Sequence, residues 1–130
     1  MEFAICAVLF IGLIYGSISF GVVFWVKHTL TSAASEGARA AVGAPVGHEV
    51  EYAKAKAKAV VDSSLGDRGA HVPLEAITAT IATCAGSTHQ CITVRVPYPY
   101  SAHPILPALP PILSVLPGTL ASTSVIELSS

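Results

Sequence analysis

The sequence predicts an α+β fold in which one very long N-terminal helix carries a small head. Three observations predict it. Residues 3–26 are apolar apart from Ser17, Ser19 and the Tyr15 hydroxyl, and no charge falls between Glu2 and Lys27. No proline occurs before Pro45, so a helix begun near Phe3 meets nothing that would stop it in the alanine-rich stretch that follows. Beyond residue 70 the pattern changes to alternation of period two, the mark of half-buried strands.

The first element spans residues 3–43. Its apolar part is longer than the roughly 20 residues a helix needs to cross a bilayer core. Forty-odd residues at about 1.5 Å each make a rod on the order of 60 Å. The rest of so short a chain cannot bury it, so lipid or other copies of the protein must cover part of it. Gly12 and Gly16 form a GxxxG pair, and Ser17 and Gly21 are also four apart. Small residues at this spacing let helices approach closely inside a membrane. Trp25 and Lys27 suit an anchor at the membrane interface. Past Lys27, residues Leu30, Ala33, Ala34, Gly37, Ala38, Ala41 and Val42 share one helical face, expected to pack on the head. Glu36 and Arg39, three apart, can pair across the surface. Gly43, Pro45 and Gly47 end the helix.

Residues 49–65 read as a second helix, with Val50, Ala53, Ala57, Val60 and Val61 at helical spacing. Lys54, Lys56 and Lys58 read as its solvated face rather than a patch for anionic lipid or nucleic acid. Residues 66–69 are a stop and loop. Two strands of a hairpin follow, at 75–84 and 91–97. Ile77, Ala79 and Ile81 share a face with Ile92, Val94 and Val96 across the pair. By parity Cys84 and Cys91 fall on the opposite face, near the turn, where a disulfide can close in an oxidising compartment. A metal pair is the rival, but the spacing matches no zinc site. Cys6 is left free in the apolar helix. Residues 98–118 hold six prolines among Ile and Leu, which excludes a central strand. They read as an extended loop whose apolar side chains need cover from the head or a neighbour. A last strand is expected at 120–128. The chain thus divides into residues 1–44, the long helix with its apolar half at 3–26 and amphipathic half at 27–43, and residues 45–130, the head.

Residues 2–43 resemble the TadE-like pilin and pseudopilin family of tight-adherence (type IVc) pilus systems. The matching pieces are Glu2-Phe3-Ala4, the apolar run with Gly16 and Phe20-Gly21, and Ser35-Glu36-Gly37-Ala38-Arg39. Val94-Arg95-Val96-Pro97-Tyr98-Pro99, the Leu-Pro repeats and Leu120-Ala121-Ser122 are similar to that family's C-terminal region. The proline usual in the first turns of the family's helix is absent here. The resemblance implies a basic leader removed by a prepilin peptidase. On that reading the chain is mature or nearly so, and since the family's glutamate usually stands fifth after the cut, either a few residues precede Met1 or the cut differs. It also implies that Glu2, with Phe3 beside it, makes the N-terminal assembly contact. There the acid pairs with an N-terminal amine, its own or a neighbour's. Glu36, Gly37 and Arg39 carry the family motif.

The function classes narrow accordingly. Charged residues make up only 12% of the chain and the net charge is −1, which argues against a nucleic-acid partner. His28, His48, His71, His89 and His103 stand at no ligand spacing, and no nucleophile motif or phosphate-binding glycine loop occurs. No enzyme activity, metal or cofactor is expected. The leading expectation is a structural subunit held in the inner membrane before assembly and then polymerised with copies of itself, by Tad-type machinery, into an extracellular pilus. The runner-up is a minor pseudopilin or assembly factor retained in the membrane or at the pilus tip or base.

Overall fold

The computed structural model describes residues 1–68, 70–103, 105 and 118–128. Helix α1 runs without interruption over Glu2–Val42, and α2 over Glu49–Leu65, followed by a short 3-10 turn at Gly66–Arg68. Strands β1 (Thr78–Thr83), β2 (Gln90–Tyr98) and β3 (Leu120–Leu128) form an antiparallel sheet in the order β1-β2-β3. The α+β architecture is the one the sequence predicts: a long apolar helix, a second helix and three antiparallel strands.

α1 and α2 are antiparallel: Gly37 lies against Ala53 and Ala57, while Trp25 lies against Arg68. The turn between them uses Gly47 at φ +89°, a backbone conformation that glycine adopts without strain. The Gly47 N–H donates to a Glu49 carboxylate oxygen at 2.9 Å, so the turn and the first residue of α2 hold each other.

Both helices pack on one face of the sheet, α1 over β2 and β3 and α2 mainly over β1. The core lies between these layers. Val26, Leu30, Ala33, Ala34, Ala38 and Ala41 come from α1, Ala53, Ala57, Val61 and Leu65 from α2, and Ile92, Val94, Val96 and Tyr98 from β2. Each large apolar side chain removed from water contributes about 1.5–3 kcal/mol. Strand β2 shows the alternation that set its prediction: the inward residues are buried, while Arg95 faces solvent. The register pairs Ala79 with Val94 and Ile81 with Ile92, and Ile92 with Ile126 on the other side. One polar contact sits within this layer. The Thr31 and Ser122 hydroxyls lie 2.7 Å apart and tie α1 to β3, which satisfies the buried Ser122 without charge.

Several details depart from expectation. β1 begins at Thr78, not 75, because Pro73 initiates a turn in which the Ala76 N–H donates to the Pro73 carbonyl and the Ile77 N–H to that of Leu74. Cys84 leaves the strand at its other end to enter the hairpin turn. β2 runs 90–98, so Tyr98 is a buried strand residue rather than the start of a loop. Ile81 is 37% exposed although by alternation it shares the inward face with the buried Ile77 and Ala79. α1 ends at Val42, which is 46% exposed and not on the packed face. Of the proline-rich stretch, Ile105 is half-buried against the core, and the Ser101 N–H donates to the Gly118 carbonyl at 3.0 Å. The expectation for the covered apolar side chains of that stretch otherwise lies outside the described residues.

Candidate membrane and assembly surface

The two halves of α1 are in opposite situations. From Ser19 onward one stripe of the helix is buried against the head. Before Tyr15 it is open among the described residues. Phe3, Phe10 and Leu13 are 87%, 69% and 69% exposed, and Ile5, Val8, Leu9, Ile11 and Ile14 are comparably bare. By length and composition this helix can cross a membrane, and only 6% of its most apolar window is buried within the chain. A buried core helix of a water-soluble domain would show the reverse. A helix satisfies its own backbone hydrogen bonds, so it can stand in hydrocarbon without a partner.

Of the predicted packing residues, Gly12 lies on this bare part, and Gly16, Ser17 and Gly21 lie between it and the stretch that the head covers. A side chain added at Gly12, Gly16 or Gly21 would meet nothing within 4 Å among the described residues, so the small-residue positions are open there. Ser17 donates to the Leu13 carbonyl at 2.9 Å and Ser19 to that of Tyr15 at 2.9 Å, so their hydroxyls are satisfied inside the helix and need no water. Helix α1 starts at Glu2; the Glu2 side chain lies outside the described residues. Phe3 is fully open.

Several amphipathic groups lie where the head meets the helix. The Arg68 guanidinium stands 5.0 Å from the centre of the Trp25 ring, a cation–π contact between the 3-10 turn that follows α2 and the middle of α1. Sequence reading identified Trp25 and Lys27 as interfacial but missed Arg68, which is remote along the chain and becomes a neighbour only through the antiparallel helix pair. Tyr98 donates its hydroxyl proton to the His103 carbonyl at 2.7 Å and packs edge-on to Tyr100. Burial raises the Tyr98 hydroxyl above its ordinary pKa, and the neighbouring Tyr100 adds to this. Tyr100 is raised by burial and then by Tyr15 of α1.

The motif residues 36, 37 and 39 separate into different roles. A Cβ on Gly37 would sit 2.7 Å from the Ala53 carbonyl oxygen and 3.0 Å from the Ala57 Cβ. The glycine is therefore the point where α1 and α2 touch through their backbones. Glu36 is half-buried and Arg39 exposed, and the expected pair between them does not form: neither takes part in an ion pair among the described residues.

At the end of the head remote from Phe3, Cys84 and Cys91 form the disulfide that strand parity predicts, with Cα atoms 5.1 Å apart, and Cys6 is free. The bond clamps the hairpin turn, where Gly86 takes φ +79°. The exposed His48, His71 and His89 stand near Glu51, Asp62 and Glu127 at 3.4, 3.8 and 3.6 Å. Lys58 pairs with Asp62, in keeping with a solvated helix face. No group of three or more His, Cys, Asp or Glu able to hold a metal occurs among the described residues.

Comparison with known proteins adds one finding. The family model described as TadE-like protein matches residues 1–39, which are nearly all of α1. No curated protein and no solved structure matches the chain.

Proposed function

We propose, on the premise that residues 1–39 make this chain a member of the TadE-like family, that it is a pilin-like structural subunit which polymerises through α1 into a pilus filament. The observation that carries this reading is the bare apolar half-helix, which the described residues of the head leave uncovered. In the inner membrane, lipid covers that surface. On leaving the membrane the same surface must be covered again, and other copies offer a matching one. The open Gly12, Gly16 and Gly21 positions permit close helix contact at that stage. The role is structural rather than catalytic, and the assembly machinery and prepilin peptidase are those of a Tad-type system.

Glu2 is the sole acid in the first 35 residues. A carboxylate carried into an apolar bundle needs a partner, since an isolated buried charge costs several kcal/mol. In this reading Glu2 registers each incoming helix through an N-terminal amine. Glu2→Ala then leaves the protein expressed and membrane-inserted while filament yield falls sharply, and Glu36→Ala has the smaller effect. Shearing the surface filaments and blotting them against total membrane-bound subunit measures both. Normal filament yield from Glu2→Ala refutes the registration role. Absence of this chain from sheared filaments of wild-type cells, with full membrane retention, instead favours a minor pseudopilin or assembly factor.

A further inference from the structure

We propose that the groove between α1 and the start of β3 holds one acyl chain of an anionic phospholipid, with Lys27 on the lipid phosphate. The proposal rests on membrane anchoring through α1 and not on polymerisation. Phe20, Val23, Phe24 and Lys27 form one stripe of α1, at spacings of three and four residues, and face Thr119, Leu120 and Ala121 across an open groove of about 460 Å³. Val23 and Leu120 are buried and make its floor, while Phe20 and Phe24 stand exposed as its walls. The stripe extends about 10 Å along the helix axis. Its lower part belongs to the uncharged run, and its upper end is a cation.

Two observations select the occupant. The first is charge. Lys27 is the one charged residue among those lining the groove, no carboxylate joins it, and it takes part in no ion pair among the described residues. An apolar helix from a second copy would leave that cation unmatched, whereas a phosphate at the end of an acyl chain matches it. The second is level. Trp25, stacked under Arg68, stands one to two residues from Phe24 and Lys27, and such aromatic and basic groups settle at the lipid headgroups. The residues from 20 to 24 then lie in hydrocarbon, and the lysine stem can follow the groove up to the headgroup layer.

The test uses the full chain with its single tryptophan moved into the groove wall, as Trp25→Phe with Phe24→Trp. The protein is reconstituted at low density in phosphatidylcholine vesicles that contain a small fraction of bromine-labelled lipid, either phosphatidylglycerol or phosphatidylcholine. The expected result is quenching at least twofold deeper by brominated phosphatidylglycerol. Lys27→Gln abolishes the difference, and Arg68→Gln leaves it in place. Ala121→Phe, which fills the groove from the β3 side, abolishes it as well. Equal quenching by the two lipids overturns the proposal, and so does a preference that survives Lys27→Gln. Quenching that fades as protein density rises, with no lipid preference, assigns the groove to a second copy and also overturns it. No quenching by either lipid reports a helix outside the bilayer, and overturns the membrane anchor along with the lipid site.

Discussion

Replacing Gly37 by alanine isolates the contact that joins the long helix to the head. In an exposed helix interior the change stabilises, because alanine exceeds glycine by about 1 kcal/mol in helix propensity. Here the new methyl would stand 2.7 Å from the Ala53 carbonyl oxygen, and an ordinary contact begins at 3.4 Å, so α1 and α2 must part by about 0.7 Å. The obstructing atom is backbone and cannot rotate away. Forcing extra volume into a packed contact costs about 1–3 kcal/mol. Set against the propensity gain, the net loss is about 1 kcal/mol, which for a domain of this size lowers Tm by about 4–8 °C. Gly66 supplies the control. Its backbone is helical, at φ −60° and ψ −39°, and the nearest atom to an added Cβ is the His71 Cε1 at 3.7 Å. Gly66→Ala should therefore stabilise by about 0.4–1 kcal/mol. Thermal melts of the full chain in detergent micelles, followed by near-ultraviolet circular dichroism, compare the two. A Gly37→Ala protein that melts at or above the wild-type temperature would refute the close-approach argument.

Two further outcomes follow from the head. Reduction of Cys84–Cys91, or the double change to serine, should cost about 2–3 kcal/mol by the loop-entropy estimate, read by urea denaturation; a denatured, unreduced sample should alkylate at Cys6 alone. For the tyrosines, the folded pKa lies above the ordinary value of 10.0. Their contribution is thus fully present below pH 10 and is lost as pH rises through the folded pKa. Stability should fall above about pH 10. Tyr98→Phe should flatten that alkaline arm and cost about 1 kcal/mol at neutral pH through the lost bond to the His103 carbonyl.

The elements visible in the sequence were those with a long or strict period. The 41 residues of α1 were legible because a proline-free run shifts from apolar to alanine-rich with no stop signal until Gly43. The disulfide was legible because strand parity is binary: a residue is on one face or the other. Less accessible was anything fixed by two distant segments at once. The start of β1 was displaced by the Pro73 turn, a local competition that alternation cannot show. The place of Gly37 against the Ala53 backbone depends on the crossing of two helices, and the stack of Arg68 on Trp25 depends on their antiparallel register. Glu36 and Arg39 illustrate the converse, since suitable spacing on one helix made a pair plausible, yet no ion pair joins them.

The direction of β3 has a mechanical consequence. It runs alongside α1 in the same sense, from Leu120 near Val23 to Leu128 near Ala41 and Val42, and α2 lies antiparallel on the neighbouring flank. Tension applied along the axis of α1 therefore loads these contacts in shear, all at once, instead of peeling them apart in succession. The Thr31–Ser122 bond and the backbone approach at Gly37 lie within that sheared zone. Detachment of the head under pull must break the whole seam in one event, so its lifetime under load is set by the unfolding barrier and not by the weakest single contact.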